Sequence, residues 1–90
     1  MSIMVRLPSV LKKLAYGEMV PVNGKTVGEA LEDVVRKFPM LKDRLFTLEG
    51  KIRPFLLVCL NGEDIRFKEQ ILTSVVDGDE ISIIPAMSGG

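Results

Sequence analysis

Histidine and tryptophan are absent from this chain of 90 residues, and cysteine occurs once, at Cys59. Without histidine, the usual general base near neutral pH and the commonest nitrogen ligand for metals are missing. A single cysteine excludes an intramolecular disulfide and any metal cluster built wholly of thiolates, and it suits a reducing compartment. Net charge is missing too: twelve basic and twelve acidic side chains cancel, so no global field draws the chain to nucleic acid or to an anionic membrane. The longest fully apolar run, Phe55 to Leu60, is far shorter than the roughly 20 residues that cross a bilayer. Met1-Ser-Ile-Met-Val-Arg lacks the charged-then-apolar layout of a signal peptide, and a cytoplasmic location is expected.

Hydrophobic residues at 47% and charged residues at 27% are the balance of one globular domain with a modest core. Ile3, Val5 and Leu7 alternate with Met4 and Arg6, the period of a half-buried strand that Pro8 stops. From Ser9 to Ala15 the apolar positions Val10, Leu11 and Leu14 suit a short helical turn or a wide connection, and a loop is expected. Met19, Val20 and Val22, broken by Pro21 and closed by Asn23-Gly24, read as a short edge strand and a turn. The period then changes. Thr26 with Glu29 three residues on is a capping box, and Val27, Ala30, Leu31, Val34, Val35 and Phe38 recur at helical spacing until Pro39, which ends the helix.

Between Pro39 and Pro54, Leu41 and Leu45 allow one further turn, and Glu49-Gly50-Lys51 is turn-like. Phe55 to Leu60 is apolar on both faces, the mark of an interior strand covered on both sides or of one whose second face awaits a partner. Asn61-Gly62 signals a tight hairpin turn. Ile71, Leu72, Val75 and Val76 are expected to form a small apolar cluster under a connection, before Asp77-Gly78-Asp79 turns the chain into a last strand over Glu80 to Pro85. Two strands, one helix and two or three more strands make an α+β roll: a mixed sheet, first and last strands adjacent, with one main helix across one face.

The end of the chain is the stretch that invites a function. Residues 1–85 are expected to form the domain and residues 86–90 a flexible tail, Ala86, Met87, Ser88, Gly89 and Gly90. Two glycines lack a Cβ, so a free carboxylate at Gly90 can enter a channel that larger side chains would block. By chance such a pair closes roughly one chain in 200, so it acquires meaning only from the domain before it. If Leu56, Val58 and Leu60 face the helix, alternation puts Leu57 and Cys59 on the other face with Ile84. Left open, that face, with Pro85 and Met87, is a partner site beside the tail; covered by the Pro39–Pro54 segment, it is core. The acidic residues Asp77, Asp79 and Glu80 precede the last strand, and residues 61–90 carry six acids against two bases. They are either a solvated turn or a patch that steers a basic partner surface to the reactive end.

Nothing inside the domain reads as catalytic. Gly24-Lys25-Thr26 lacks the glycine five residues earlier that a phosphate loop needs, since position 19 is methionine, and helix capping explains Thr26. Cys59, in an apolar strand and with no histidine to lower its pKa, reads as a packing residue rather than a nucleophile. The carboxylates form no acid/base pair and no metal set at recognisable spacing.

Together, Asn61-Gly62-Glu63-Asp64-Ile65-Arg66, Asp77-Gly78-Asp79-Glu80, Ile83-Ile84-Pro85-Ala86 and the terminal Gly89-Gly90 resemble the ThiS/MoaD family of ubiquitin-like sulfur carriers, over essentially the whole chain. The length between helix and third strand is similar to that of the molybdopterin synthase small subunit and the cysteine-forming carriers; Met87-Ser88 departs from the smaller apolar residues common in relatives. The resemblance implies the β-grasp fold and a non-catalytic role. Gly90 would be adenylated by an ATP-dependent, ubiquitin-activating-like partner, converted to a thiocarboxylate by a sulfur donor, and would give sulfur to an acceptor such as a molybdopterin synthase large subunit. The chain itself would bind no cofactor and no metal. Two alternatives stay open: a protein modifier joined through Gly90 to lysines, and a non-covalent β-grasp binding module.

Overall fold

The computed structural model describes residues 2–15 and 17–85, so Met87, Ser88, Gly89 and Gly90 lie outside the described residues. Five strands, β1 (Ile3–Arg6), β2 (Met19–Val22), β3 (Leu56–Leu60), β4 (Glu63–Asp64) and β5 (Glu80–Pro85), form one sheet in the order β2-β1-β5-β3-β4. β1 and β5 are parallel neighbours at its centre, and the other pairs are antiparallel. The first and last strands are therefore adjacent, as expected, and one main helix, α1 (Val27–Lys37), packs on the sheet.

Local chemistry explains each element. Ile3 and Val5 of β1, and Val20 and Val22 of β2, are buried on one face. Thr26 is extended at the head of α1, where its Oγ1 accepts from the Glu29 N–H at 3.1 Å. Glu29 Oε1 reaches back to the Lys25 N–H at 2.8 Å, closing the capping box one residue before the cap. Val27, Ala30, Leu31 and Val34 then face the core, and the chain leaves the helix at Phe38, whose N–H still bonds the Val34 carbonyl before Pro39. Asn61 and Gly62 have φ of +50° and +89°, both positive, the geometry of the hairpin turn that joins β3 to β4.

Between Pro39 and Pro54 the further turn that the sequence allows is present: a 3-10 turn (Pro39–Leu41) leads into a short helix, α2 (Lys42–Leu45), and Leu41 and Leu45 are fully buried in the same core as α1. Two segments differ from the sequence expectation. Residues Ser9 to Ala15, expected as loop, end in a 3-10 turn over Lys12–Ala15 that seats Leu11 and Ala15 in the core. The second is the expected apolar cluster at Ile71, Leu72, Val75 and Val76: of the four only Val75 is buried, and the others are exposed. Ser74 forms an antiparallel bridge with Thr26, and the Val75 N–H bonds the Lys25 carbonyl. The segment is thus strand-like, with Thr73 and Val75 inward and Ser74 and Val76 outward. The preceding turn lies so close to α1 that a Cβ on Gly28 would come within 3.2 Å of the Ile71 carbonyl oxygen.

One buried charge ties helix to sheet. Asp33, 5% exposed, accepts from the Asn23 N–H at 3.0 Å and pairs with Arg36 Nη1 at 3.1 Å and Lys37 Nζ at 3.6 Å. Lys37 Nζ also donates to the Pro21 carbonyl at 2.9 Å, so the last turns of α1 are fastened to the end of β2. The Asn23 N–H bond, followed by the two cations, holds the Asp33 carboxyl below the usual carboxylate range against the opposing effect of burial. A lowered folded-state pKa means that the unfolded chain binds more protons near pH 4, so this contribution is present above the ordinary carboxylate value and lost as pH falls through the folded one. Asp33→Ala should cost about 1–3 kcal/mol at pH 7, by leaving the part-buried Asn23 N–H without its acceptor and removing the anion that Arg36 and Lys37 share. In urea unfolding, the gap between wild type and variant should narrow once the pH drops below about 4.

Candidate functional site

The site is built on β3 and β5 at the end where the chain leaves the sheet. Antiparallel pairing sets Leu56 against Pro85, Leu57 against Ile84, Val58 against Ile83 and Cys59 against Ser82. Val58, Leu60, Ile81 and Ile83 are buried toward α1 with Leu56 packed beside them, so the expected division of faces is the one observed. Leu57 and Ile84 are direct cross-strand partners on the opposite face, Leu57 half-buried and Ile84 42% exposed. Leu41 and Leu45 of the Pro39–Pro54 segment lie in the core with Phe46 and Ile52 packed against it, and Gly50 to Pro54 line a cleft that Leu57 borders, which leaves Ile84 and Pro85 open.

Pro85 fits the ladder for a reason legible in the hydrogen bonds. The Asn61 N–H bonds the Glu80 carbonyl, so alternate pairs from there, ending in Leu57 with Ile84, carry the ladder bonds between β3 and β5. Pro85 falls on the pair between, where its nitrogen faces away from β3, and β1 has already left the ladder at Arg6. The missing N–H costs no sheet bond. Where β1 diverges, a cleft of about 360 Å³ opens between Arg6 to Val10 and Ser82 to Pro85. Val10, 78% exposed, and Phe55, 51% exposed, add apolar surface at this end. Sequence reading grouped Val10 with Leu11 and Leu14 and gave Phe55 to the strand that follows it, so neither was read as exposed surface.

Cys59 does not belong to the open patch. It points to the outer face but is only 7% exposed, because β4 folds over it: Cys59 pairs with Asp64. The Asp64 carboxylate is clasped by Arg66 through Nε at 2.9 Å, Nη2 at 2.7 Å and the backbone N–H at 2.9 Å. Burial, then the Asp64 charge, push the thiol's pKa up, with Arg66 opposing. A thiol held neutral and out of reach is neither a partner contact nor a nucleophile. Among the described residues no group of three His, Cys, Asp or Glu could hold a metal ion, and no helix is long and apolar enough to cross a membrane.

The acidic turn is also not where the sequence order suggested. Asp79 accepts from the Val76 N–H and from Asn61 Nδ2, which lower its pKa in that order. Glu80 pairs with Arg6 at 3.0 Å. These carboxylates close a turn at the start of β5, whereas Pro85 is at its other end, about 16 Å away at ~3.3 Å per residue. The solvated-turn reading holds for Asp79 and Glu80, and they do not surround the root of the tail.

Comparison with known proteins places this geometry. A family model described as the ThiS family matches residues 5–90. The sulfur carrier protein CysO of Mycobacterium tuberculosis (strain ATCC 25618 / H37Rv) is 31% identical over 93 residues, with all of both chains covered. Among solved structures, the chain is similar to one in the Amycolatopsis orientalis BexX/CysO complex, with a TM-score of 0.88, 36% identity and 99% and 100% of the two chains covered. It is also similar to the small archaeal modifier protein SAMP1 of Haloferax volcanii, with a TM-score of 0.85, 30% identity and both chains covered in full. The roll is the β-grasp fold of ubiquitin-like sulfur carriers.

The two faces of β5 should respond oppositely to substitution. Ile84→Glu, on the open face, should shift the unfolding free energy by no more than about 0.5 kcal/mol. Ile83→Ala, one residue away and buried, should cost about 2–5 kcal/mol. Equal losses in denaturant melts of the two variants would mean that the Leu57–Ile84 face is covered.

Proposed function

Because the chain belongs to the ThiS family, we propose that it is a sulfur carrier whose reactive group is the carboxylate of Gly90. A carboxylate is a poor electrophile. On this reading a partner enzyme joins it to the α-phosphorus of ATP, releasing pyrophosphate, and the resulting acyl-adenylate carries AMP as a good leaving group. Sulfide attacks the acyl carbon and expels AMP, leaving a thiocarboxylate in which one oxygen has been replaced by sulfur. The nucleotide, the sulfur donor and the catalytic side chains belong to partners, and this chain supplies a slim tail and a surface that holds it in place.

The observation that carries the proposal is the juxtaposition of an open apolar patch, Leu57, Ile84 and Pro85, with the point where β5 hands over to five residues ending in Gly89-Gly90. The acceptor we favour is an enzyme of cysteine formation rather than a molybdopterin synthase large subunit, because the sulfur carriers among the relatives above are CysO proteins, matched over 99% or more of this chain. Similarity to a small archaeal modifier protein, 36% identical over 72 residues, supports a second reading, conjugation of Gly90 to lysines of other proteins. Both need activation of the same carboxylate, and a non-covalent module needs none.

Intact mass decides among them. After incubation with an adenylating partner, ATP and sulfide, the carrier reading expects a gain equal to one oxygen exchanged for sulfur, absent from a chain lacking Gly90. Conjugates of higher mass that also need Gly90 would favour the modifier. Partner binding undiminished in the truncated chain, with no mass change in wild type, would leave only the binding module.

A further inference from the structure

The net charge of zero conceals a polarised molecule. At the start of β5 lie Asp79 and Glu80, beside the β3–β4 turn with Glu63 and next to Asp77. At the other end of the sheet lie Lys12 and Lys13, on the turn that continues β1 past the cleft, and Lys42 and Arg44 of α2, whose leading turn packs against theirs. Arg53 is beside them: its carbonyl accepts from the Leu56 N–H, and Leu56 pairs with Pro85. Lys12, Lys13, Lys42 and Arg44 are exposed, and among the described residues none of them has an ion-pair partner. Arg6, Arg36, Lys37, Arg66 and Lys68 are paired, Lys25, Lys51 and Arg53 are not, and one exposed acid, Asp43, lies between Lys42 and Arg44 on α2.

We propose that these four unpaired cations form a basic rim around the root of the tail, which docks against an acidic rim on the protein that receives the tail. The inference rests on the reading that Gly90 is delivered into a partner, and it adds the chemistry of that partner's surface. Two features single out a protein surface. The rim adjoins apolar surface, since Lys12 stands two residues on from the exposed Val10, which lines the cleft with Ile84 and Pro85, the mixture of apolar centre and charged margin that protein interfaces use. The poles also stand about 16 Å apart, beyond the ~8 Å over which physiological salt screens charge. An acidic partner therefore attracts the near pole and repels the far one, turning a neutral molecule so that its tail end arrives first.

The test is the association rate of the full chain with the adenylating enzyme of the same organism, measured from 25 mM to 500 mM salt, a range spanning weak to strong screening at roughly 20 to 4 Å. Lys12→Glu, Lys13→Glu, Lys42→Glu and Arg44→Glu combined should slow association at low salt at least about tenfold, and the difference should close at high salt. The four Lys or Arg→Gln changes should give a smaller slowing, and denaturant melts confirm that both variants fold. Glu63→Lys with Asp77→Lys, at the far pole, should not slow it. A folded charge-reversal variant that associates at the wild-type rate at every salt concentration would overturn the proposal. So would tight wild-type binding to a mixed-sequence DNA duplex that is lost in the variant, which would make the rim a nucleic-acid surface. The mass measurement keeps the two readings apart: normal thiocarboxylate with a salt-indifferent rate removes the rim and leaves the chemistry, and salt-steered association without any mass change does the reverse.

Discussion

The pairing of β1 with β5 is the constraint on which the rest of the structure depends. Two parallel strands cannot be joined by a tight turn, so everything between residues 6 and 80 is a single long connection that must return to the same end of the sheet. That connection supplies the helix that covers one face and the antiparallel neighbours, β2 and β3, that complete the sheet. Ile81 becomes a buried centre-sheet residue because β1 and β3 flank it, and Ile83, past the end of β1, is buried in the core that the sheet shares with α1. With the last strand central, its end is thrown out of the sheet at a place of fixed geometry. A strand added at an edge would give the tail a far less defined origin.

What was legible in the sequence was what depends on near neighbours along the chain. Alternation at Ile3 and Val5 and at Ile81 and Ile83, capping at Thr26 and Glu29, and the Asn61-Gly62 turn are decided within a few residues, and each appears as read. The register that separates Leu57 from Val58 followed from the same rule, since side-chain direction in a strand has a period of two. The remainder turns on neighbours remote in sequence. Cys59 alternates to the outer face as it should, but whether that face is open at Cys59 depends on Asp64 and Arg66 folding back over it. Nothing in the neighbouring sequence marks Asp33 as buried; its place is set by Asn23, ten residues earlier, whose N–H donates to its carboxylate at 3.0 Å. Ile71 to Val76 reads as one apolar cluster, but Ile71 and Leu72 lie in a 3-10 turn and the bridge of Ser74 to Thr26 gives Thr73 to Val76 the strand period, which turns Val76 outward.

Charge was the hardest property to read. Counting along the chain puts acid next to the tail, because Asp77, Asp79 and Glu80 precede Gly90 by only a dozen or so positions. In space a strand intervenes, and a strand is the most extended path a chain can take. The basic residues beyond the end of β1 are Lys12 and Lys13 of the turn that follows it, and Lys42 and Arg44 of α2, whose leading turn packs against that one. Strand order, and not sequence distance, decides which charges a partner meets.

On the proposed reading, placing recognition on the sheet and chemistry on the tail has a thermodynamic consequence. The groups that would hold a partner, Leu57, Ile84 and Pro85 with the basic rim, are fixed by the core and are the same whether Gly90 ends in carboxylate, adenylate or thiocarboxylate. Binding energy from such a surface is uniform across the states of the tail, so by itself it cannot drive the carrier from donor to acceptor. A patch of this size also admits one partner at a time. Direction must then come from the few atoms that differ at the tip, sensed inside each partner's channel, and from rapid exchange on the shared face. Fast exchange favours association steered by charge over a large apolar contact: steering raises the on-rate, while a small desolvated patch keeps the off-rate high.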